Sequence, residues 1–359
     1  MRALVVGAGK MGIPIAYALG KFGFDVVVTD VFESKLQDAK EKLSTVEIIS
    51  QPALLLRSTK FDVCISAATF NANPVWANWC KERQIPYCDL GGNQAVSETI
   101  QQRSRALNPH IPVFTDLGLA PGLVNILAEQ VYREQSKRDI VEEIRLRVGG
   151  LPISILDTKL KYAQVFSAEG LLNEYSGICQ TIKNGEQFGV QALGGLKPFI
   201  MGKKTYEVFY TSGGLASTLD LMLARGVKNV DYKTIRNPGH CAHIRFLLEE
   251  CGISKETFYE IINKACPPTD KDQVLIYASA VGTESSVVKQ YSILHHDGWT
   301  AMQSCTAFPA AAVAAIMAEK TWNKPVLDYS DVPFDSFCEK LDVLDFIDFS
   351  TSEVIDIYS

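Results

Sequence analysis

The chain has no basic surplus: 35 Lys and Arg stand against 41 Asp and Glu, a net charge of −6. That leaves no positive field to hold a phosphate backbone, so nucleic acid is not expected as a partner. Its nine cysteines are scattered, odd in number and never spaced as CxxC. They give no support for a zinc or dithiol site, so no metal is expected, and they read as reduced thiols of a cytoplasmic protein. Long apolar runs are missing as well. The most apolar late stretch, Ala307–Ala318, is Ala-rich and shorter than the roughly 20 residues that span a bilayer, so it reads as a buried helix with no membrane partner. No signal peptide is expected, because Val5 and Val6 already lead into a glycine loop. Neither an internal repeat nor a low-complexity linker is found.

What is present is ordinary globular sequence: 359 residues, 47% hydrophobic and 21% charged. At roughly 100 to 200 residues per domain, that length predicts about two domains. From Met1 to about Gln135, short β-branched runs alternate with amphipathic helical patterns, which predicts an α/β, doubly wound parallel sheet. Strands are predicted at 3–6, 25–29, 46–48, 62–66, 86–88 and 112–114, with helices near 12–22, 33–43, 74–84, 97–107 and 123–132. Beyond Asp139 longer alternating segments at 143–148, 162–167, 206–210, 273–281 and 286–294 predict a second α+β domain on a largely antiparallel sheet. Helical patterns near 215–223, 242–251 and 256–264 would cover one face. The expected division is 1–135 for the nucleotide domain, with 300–335 returning to it, 136–299 for the substrate domain, and 336–359 as an acidic C-terminal segment.

The glycines of Gly7-Ala8-Gly9-Lys10-Met11-Gly12 follow a Val-rich strand and open a helix, which is the context that a dinucleotide-binding GxGxxG requires. Gly7 permits the tight turn, Gly9 lets backbone approach a pyrophosphate, and Gly12 lets helix and strand pack closely. The helix N-terminus then meets the anion. Asp30 ends the second strand 18 positions after Gly12, near the spacing of about 20 expected of an acid that binds ribose hydroxyls. A carboxylate there repels a 2′-phosphate, and Val31, Phe32 and Glu33 supply no arginine to hold one, so NAD is the expected cofactor. The alternative is a tight βα turn with a solvated aspartate. Ala67, Ala68, Asn71, Asp89, Gly91 and Gly92 complete the cofactor candidates, on loops at the carboxyl ends of sheet strands, where ligands bind in doubly wound folds.

At Asp116-Leu-Gly-Leu-Ala-Pro-Gly-Leu-Val-Asn125 the sequence begins to resemble the saccharopine dehydrogenase family, in particular its lysine 6-dehydrogenase-like branch. Tyr87-Cys-Asp-Leu-Gly-Gly-Asn93, Val148-Gly-Gly-Leu-Pro152, the stretch from Phe166 to Tyr175, Thr211-Ser-Gly-Gly214, Thr234-Ile-Arg-Asn-Pro-Gly-His240 and Thr306-Ala-Phe-Pro-Ala310 continue it in the family's order. The resemblance implies NAD(P)-linked oxidoreductase chemistry at an amino-acid C–N bond, with substrate held between the two domains, and a homodimer. In the lysine 6-dehydrogenase reading, hydride leaves the ε-carbon and the resulting imine is hydrolysed or cyclised. Two positions depart from the pattern. Saccharopine-forming and carboxynorspermidine-forming relatives tend to carry an acid where this chain has Ala120, and the family's usual tyrosine before Pro-Gly-His is Asn237.

Such a reaction needs a cation for the substrate carboxylate and an acceptor for the ammonium proton. Arg236 is the candidate clamp and His240 the candidate acceptor. Glu169, Asn173 and Tyr175 have helical spacing and are candidates to hold and orient an ammonium. Lys161, with Lys159, is a candidate base or carboxylate ligand if desolvated, and otherwise a solvated lysine. Three functions stay open: an amino-acid dehydrogenase, an opine-type imine reductase, and a non-catalytic NAD-binding sensor, because a fold alone does not prove turnover.

Overall fold

The computed structural model describes residues 1–43, 46–49, 60–107, 111–155, 157–295 and 298–356. Chain contacts divide it into two compact units: Met1–Ile126 with Gln303–Ser350, and Leu127–Met302 with Thr351–Ser359.

In the first unit, β1 (Arg2–Val6), α1 (Gly12–Lys21), β2 (Asp25–Thr29), α2 (Glu33–Lys42), β3 (Glu47–Ile49), β4 (Val63–Ser66), α3 (Asn73–Glu82), β5 (Tyr87–Asp89), α4 (Gln94–Leu107) and β6 (Val113–Phe114) alternate along the chain. The strands form one parallel sheet in the order β3-β2-β1-β4-β5-β6. β1, β2 and β4 are near-continuous Val/Ile/Leu/Cys runs because helices cover both faces, leaving no solvent side for polar residues. One side of the sheet packs Leu4, Val6, Val27, Cys64, Tyr87 and Val113 into a single core. The observed helices start and stop within a few residues of the predicted ones, as fraying termini allow.

Next comes α5 (Leu123–Ser136). The division between units falls inside it, at 126/127, nine residues before the boundary expected from sequence, where this helix was expected to close the nucleotide domain.

The second unit contains β7 (Glu143–Pro152), α6 (Ala168–Glu174), β8 (Ile178–Lys183), β9 (Glu186–Gln191), β10 (Lys197–Met201), β11 (Lys204–Phe209), α7 (Thr218–Ala224), β12 (Asn229–Arg236), α8 (His240–Arg245), α9 (Lys255–Ala265), β13 (Asp272–Val281) and β14 (Ser285–Leu294). Its sheet runs β10-β11-β12-β7-β13-β14, and the β8–β9 hairpin pairs with β12. All these pairings are antiparallel except β12 with β7, so the sheet is mixed.

Several local expectations are corrected here. Residues 162–167 are not a strand: Lys161 turns the chain at φ 47°, and the Ser167 hydroxyl accepts from the Gly170 amide to start α6. The helix expected at 215–223 begins at Thr218, after Ala216 at φ 42°. The helix expected from 242 begins at His240, and its last turn, Phe246–Glu250, is π-wound. The β8–β9 hairpin was not anticipated, although its turn is Asn184-Gly185 with both residues at positive φ, the strongest short hairpin signal there is.

The chain then forms α10 (Ala301–Glu319) and α11 (Phe334–Asp342) and ends in β15 (Glu353–Asp356). By length and composition α10 could cross a membrane, but 89% of its most apolar stretch is buried inside the protein. Phe308 packs against Tyr17 and Phe346 within the first unit. Of the stretch expected as an acidic C-terminal segment at 336–359, residues 357–359 lie outside the described residues; in the rest, α11 belongs to the first unit, and β15 pairs with β14 at the edge of the second sheet.

Candidate active site: two half-sites

In the first unit, β1 delivers the chain into Gly7 at φ 98°, whose amide donates to the Thr29 carbonyl at 2.7 Å. A Cβ on Gly7 would lie 2.9 Å from the Ala67 carbonyl carbon and the Ala68 nitrogen, and one on Gly12 would lie 1.7 Å from the Gly7 oxygen. Both positions therefore demand glycine, the first for conformation and the second for the close approach of helix and turn. A Cβ on Gly9 would meet nothing within 4 Å, so the loop is open at the position expected to face a pyrophosphate. The amides of Gly9, Lys10, Met11 and Gly12 have no partner among the described residues. Four unpaired donors at the start of α1 make an anion cradle.

Asp30 braces this loop from the end of β2. Its Oδ2 accepts from the Ala8 amide at 2.8 Å and its Oδ1 from the Phe32 amide at 2.9 Å. Each oxygen keeps a second lone pair, which is what two ribose hydroxyls require. Val31 and Phe32 beside it are 77% and 57% exposed, an uncovered apolar shoulder next to the acid. Orphan amides, an open Gly9 and an acid at the end of β2 together fit a dinucleotide.

Past β5, Gly91 and Gly92 hold φ of 76° and 111°, and Asn71 is exposed. The buried amide nearby is Asn73, whose Oδ1 accepts from the Ser66 hydroxyl at 2.8 Å. Asp89 is fully buried. Its Oδ1 accepts from the amides of Gly91 at 2.8 Å and Asp116 at 3.3 Å, and its Oδ2 from the Tyr87 hydroxyl at 3.0 Å.

In the second unit, β12 ends at Arg236, which is 2% exposed. Its Nε donates to the Tyr175 hydroxyl at 3.1 Å, Nη1 to the Thr234 hydroxyl and the Ile235 carbonyl, and Nη2 to Glu174 Oε2 at 3.2 Å. The guanidinium carbon also lies 5.1 Å from the Tyr162 ring centroid. Four of the five N–H donors are thus committed, so Arg236 cannot clamp a substrate carboxylate bidentately while Glu174 is in place. That corrects the role expected from sequence.

His240 is corrected in the same way. It is 0% exposed. Nδ1 donates to the Leu160 carbonyl at 2.8 Å, so Nε2 must accept from the Tyr175 hydroxyl at 2.9 Å. Burial, and then the Arg236 charge, hold its pKa down to about 3. A neutral imidazole with both nitrogens committed is placed to orient Tyr175 and has no free nitrogen for a substrate proton in this arrangement.

Tyr175 therefore joins a directed chain from Arg236 through its own hydroxyl to His240 and Leu160. Lys161 sits at the rim, its ammonium donating to the Pro238 carbonyl at 3.2 Å while its own carbonyl accepts from Asn237 Nδ2 at 3.0 Å. Lys161 ties two loops together and is not desolvated. Glu169 and Asn173 are exposed and join none of these bonds.

The residue that sequence reasoning missed is Glu174. Burial raises its carboxyl above the ordinary value, against the pull of Arg236. Its side chain is 30% exposed, and Oε1 has no partner among the described residues. Helical spacing pointed to 169 and 173, but α6 is only seven residues long and ends at Glu174. Glu174 and the C-cap Tyr175 turn inward together. Among the described residues no group of three or more His, Cys, Asp or Glu is placed to hold a metal ion.

The pattern of the saccharopine dehydrogenase C-terminal domain matches residues 118–341, and that of the 3-hydroxyacyl-CoA dehydrogenase NAD binding domain matches residues 2–72. The chain superposes on the apo L-Glu-forming saccharopine dehydrogenase of Saccharomyces cerevisiae with a TM-score of 0.75 over 99% of each chain, at 15% identity. A probable dehydrogenase from Thermotoga maritima matches with a TM-score of 0.45 at 12% identity, over 96% of this chain and 94% of that one, too low a score to add to the argument. With its C-terminal pattern running over more than half of its length, the chain belongs to the saccharopine dehydrogenase family and is an NAD-binding oxidoreductase of that type.

Proposed function

We propose that the chain is an NAD-dependent dehydrogenase that oxidises the C–N bond of an amino acid in the lysine 6-dehydrogenase manner. The observation that carries this reading is the Glu174 carboxylate, with one oxygen held by Arg236 and the other without a partner among the described residues. A single unpaired acceptor with negative charge suits an ammonium and repels an additional carboxylate. Bound NAD+ supplies the hydride acceptor at the substrate carbon. Glu174 receives the proton of the ammonium as the amine becomes an iminium, and Arg236 keeps the carboxylate from turning away. Tyr175 and His240 hold Arg236 by hydrogen bonding and stay neutral throughout, since burial moves the tyrosine pKa up and the histidine pKa down. The net change is R–CH2–NH3+ plus NAD+ to R–CH=NH2+ plus NADH and a proton, and water or an internal amine then consumes the iminium.

Asp30 supports NAD over NADP as coenzyme, by repelling a 2′-phosphate. The test is NADH absorbance with a panel of amino acids at alkaline pH, run beside lysine with a 2-oxo acid and NADH. Turnover of a diamino acid alone supports the proposal. Turnover only in the reductive mixture moves the assignment to an opine-type imine reductase, and coenzyme binding without turnover of either mixture favours a sensor.

A further inference from the structure

The first unit contains a second charged group that the proposed reaction does not use. Asp116, at φ 67° after β6, accepts from the Ser97 hydroxyl at 2.9 Å through Oδ1 and from the Thr115 hydroxyl at 3.0 Å through Oδ2. Its amide donates to Asp89. A Cβ on Gly91 would lie 2.3 Å from Asp116 Oδ1, so the Gly91 loop rests directly on this carboxylate while its amide is held by the other. No Lys, Arg or His bonds to either acid among the described residues. Two neighbouring carboxylates, Asp89 buried and Asp116 half-buried, without a counter-ion are costly unless a cation arrives or a proton stays.

The sheet order indicates which cation. A dinucleotide lies across the carboxyl ends of such a sheet, its two halves on opposite sides of the switch point. Asp30 on β2 marks the adenosine half, so the nicotinamide half belongs to β4, β5 and β6, where Asp89 and Asp116 stand. The nicotinamide ring is positively charged when oxidised and neutral when reduced.

We propose that buried Asp89 and half-buried Asp116, with no bonded cation among the described residues, form a carboxylate pair that seats the Gly91–Gly92 loop under the nicotinamide half, and that its negative charge makes the chain prefer oxidised over reduced coenzyme. This rests on the NAD reading above and adds to it a preference that NAD binding alone does not require. Burial, and then the Asp116 charge, raise Asp89 to about 7, against the pull of the Gly91 and Asp116 amides and the Tyr87 hydroxyl. Burial also raises Asp116, with Glu98 on α4 adding to the rise and Ser97 and Thr115 opposing it. The other groups facing the pair are the Tyr87 and Cys88 side chains from the sheet, and Tyr329 with Asp328 beyond it. Those phenols and that thiol are pushed up, away from neutrality, so the pair itself is the group that gains charge there.

The test uses the full chain and measures Kd for NAD+ and for NADH by calorimetry between about pH 6 and pH 8, on either side of the pair's titration. The preference for NAD+ should grow about tenfold across that range, the scale of one charge felt at roughly 10 Å through an effective dielectric near 20. Asp89→Asn should hold the ratio at its low-pH value. Asp116→Asn should move the midpoint to lower pH, because Asp89 loses its like-charged neighbour. A wild-type ratio that stays flat while both coenzymes bind overturns the proposal, as does an Asp116→Asn midpoint that does not move. Failure to bind either coenzyme at any pH overturns the NAD reading itself and this inference with it. If Asp89→Asn does not fold, the wild-type series and Asp116→Asn decide the matter without it.

Discussion

Replacing Glu174 by Gln tests the assignment of the second half-site at the point where it departs from sequence-based expectation. The change keeps the size of the side chain and an acceptor for Arg236 Nη2, but removes the only carboxylate among the described residues that is bonded to a guanidinium 2% exposed. Breaking a buried, hydrogen-bonded charge pair costs about 2–5 kcal/mol. The retained amide oxygen and the 30% exposure of Glu174 put this case at the low end, near 2 kcal/mol, which corresponds to a Tm lower by roughly 4–8 °C if the second unit melts as a domain of about 150–250 residues. The kinetic loss is separate. A hydrogen bond to a charged group is worth about 1.5–3 kcal/mol, so losing the ammonium contact should lower kcat/KM by roughly 10- to 150-fold, and losing the proton acceptor should lower kcat further. The assay is a thermal melt together with steady-state NADH production on the substrate that the panel identifies, with Glu174→Asp as a partial rescue of charge. If Glu174→Gln keeps wild-type kcat/KM while Glu169→Gln abolishes it, the argument from Arg236 is wrong and the exposed helix face is the site.

Changing Asp30 to Ser together with Val31 to Arg should shift coenzyme preference toward NADP, measured as the ratio of Kd values; wild type binding NADP more tightly than NAD would refute the role of Asp30. Gly12→Ala should abolish NAD binding and lower Tm, because its Cβ would lie 1.7 Å from the Gly7 oxygen, whereas retained affinity would mean that helix and turn part without loss. His240→Asn should lower Tm sharply, while no kcat/KM titration near neutral pH should disappear with it. Because His240 is held down to about 3 in the folded chain and unfolds to an ordinary value of about 6.5, the unfolded chain binds the extra proton between those values. Wild-type stability should therefore be complete above about pH 6.5 and fall with pH below it, and a wild-type melt flat between about pH 4 and 6.5 would count against this burial.

The nucleotide half was legible in the sequence because its determinants are local. Gly7, Gly9 and Gly12 act within one turn, Asp30 closes that turn from the next strand, and buried parallel strands announce themselves as unbroken β-branched runs. The second half was legible only in part. β7, β13 and β14 have the length and alternation that periodicity detects, whereas β12 carries Arg236 in a strand that alternation alone did not single out. The Asn184-Gly185 turn was in plain sight and went unused. The family resemblance and side-chain chemistry proposed Arg236 and His240, helical spacing proposed Tyr175, and the fold brings all three together, but only the tertiary structure decided what each does. A guanidinium has five donors, an imidazole two nitrogens, and their use depends on partners 61 to 80 residues away in the chain. Pairing over that distance leaves no periodic trace. That is why Glu174, one residue outside the helical register of Glu169 and Asn173, could be found only once β12 had set Arg236 beside it.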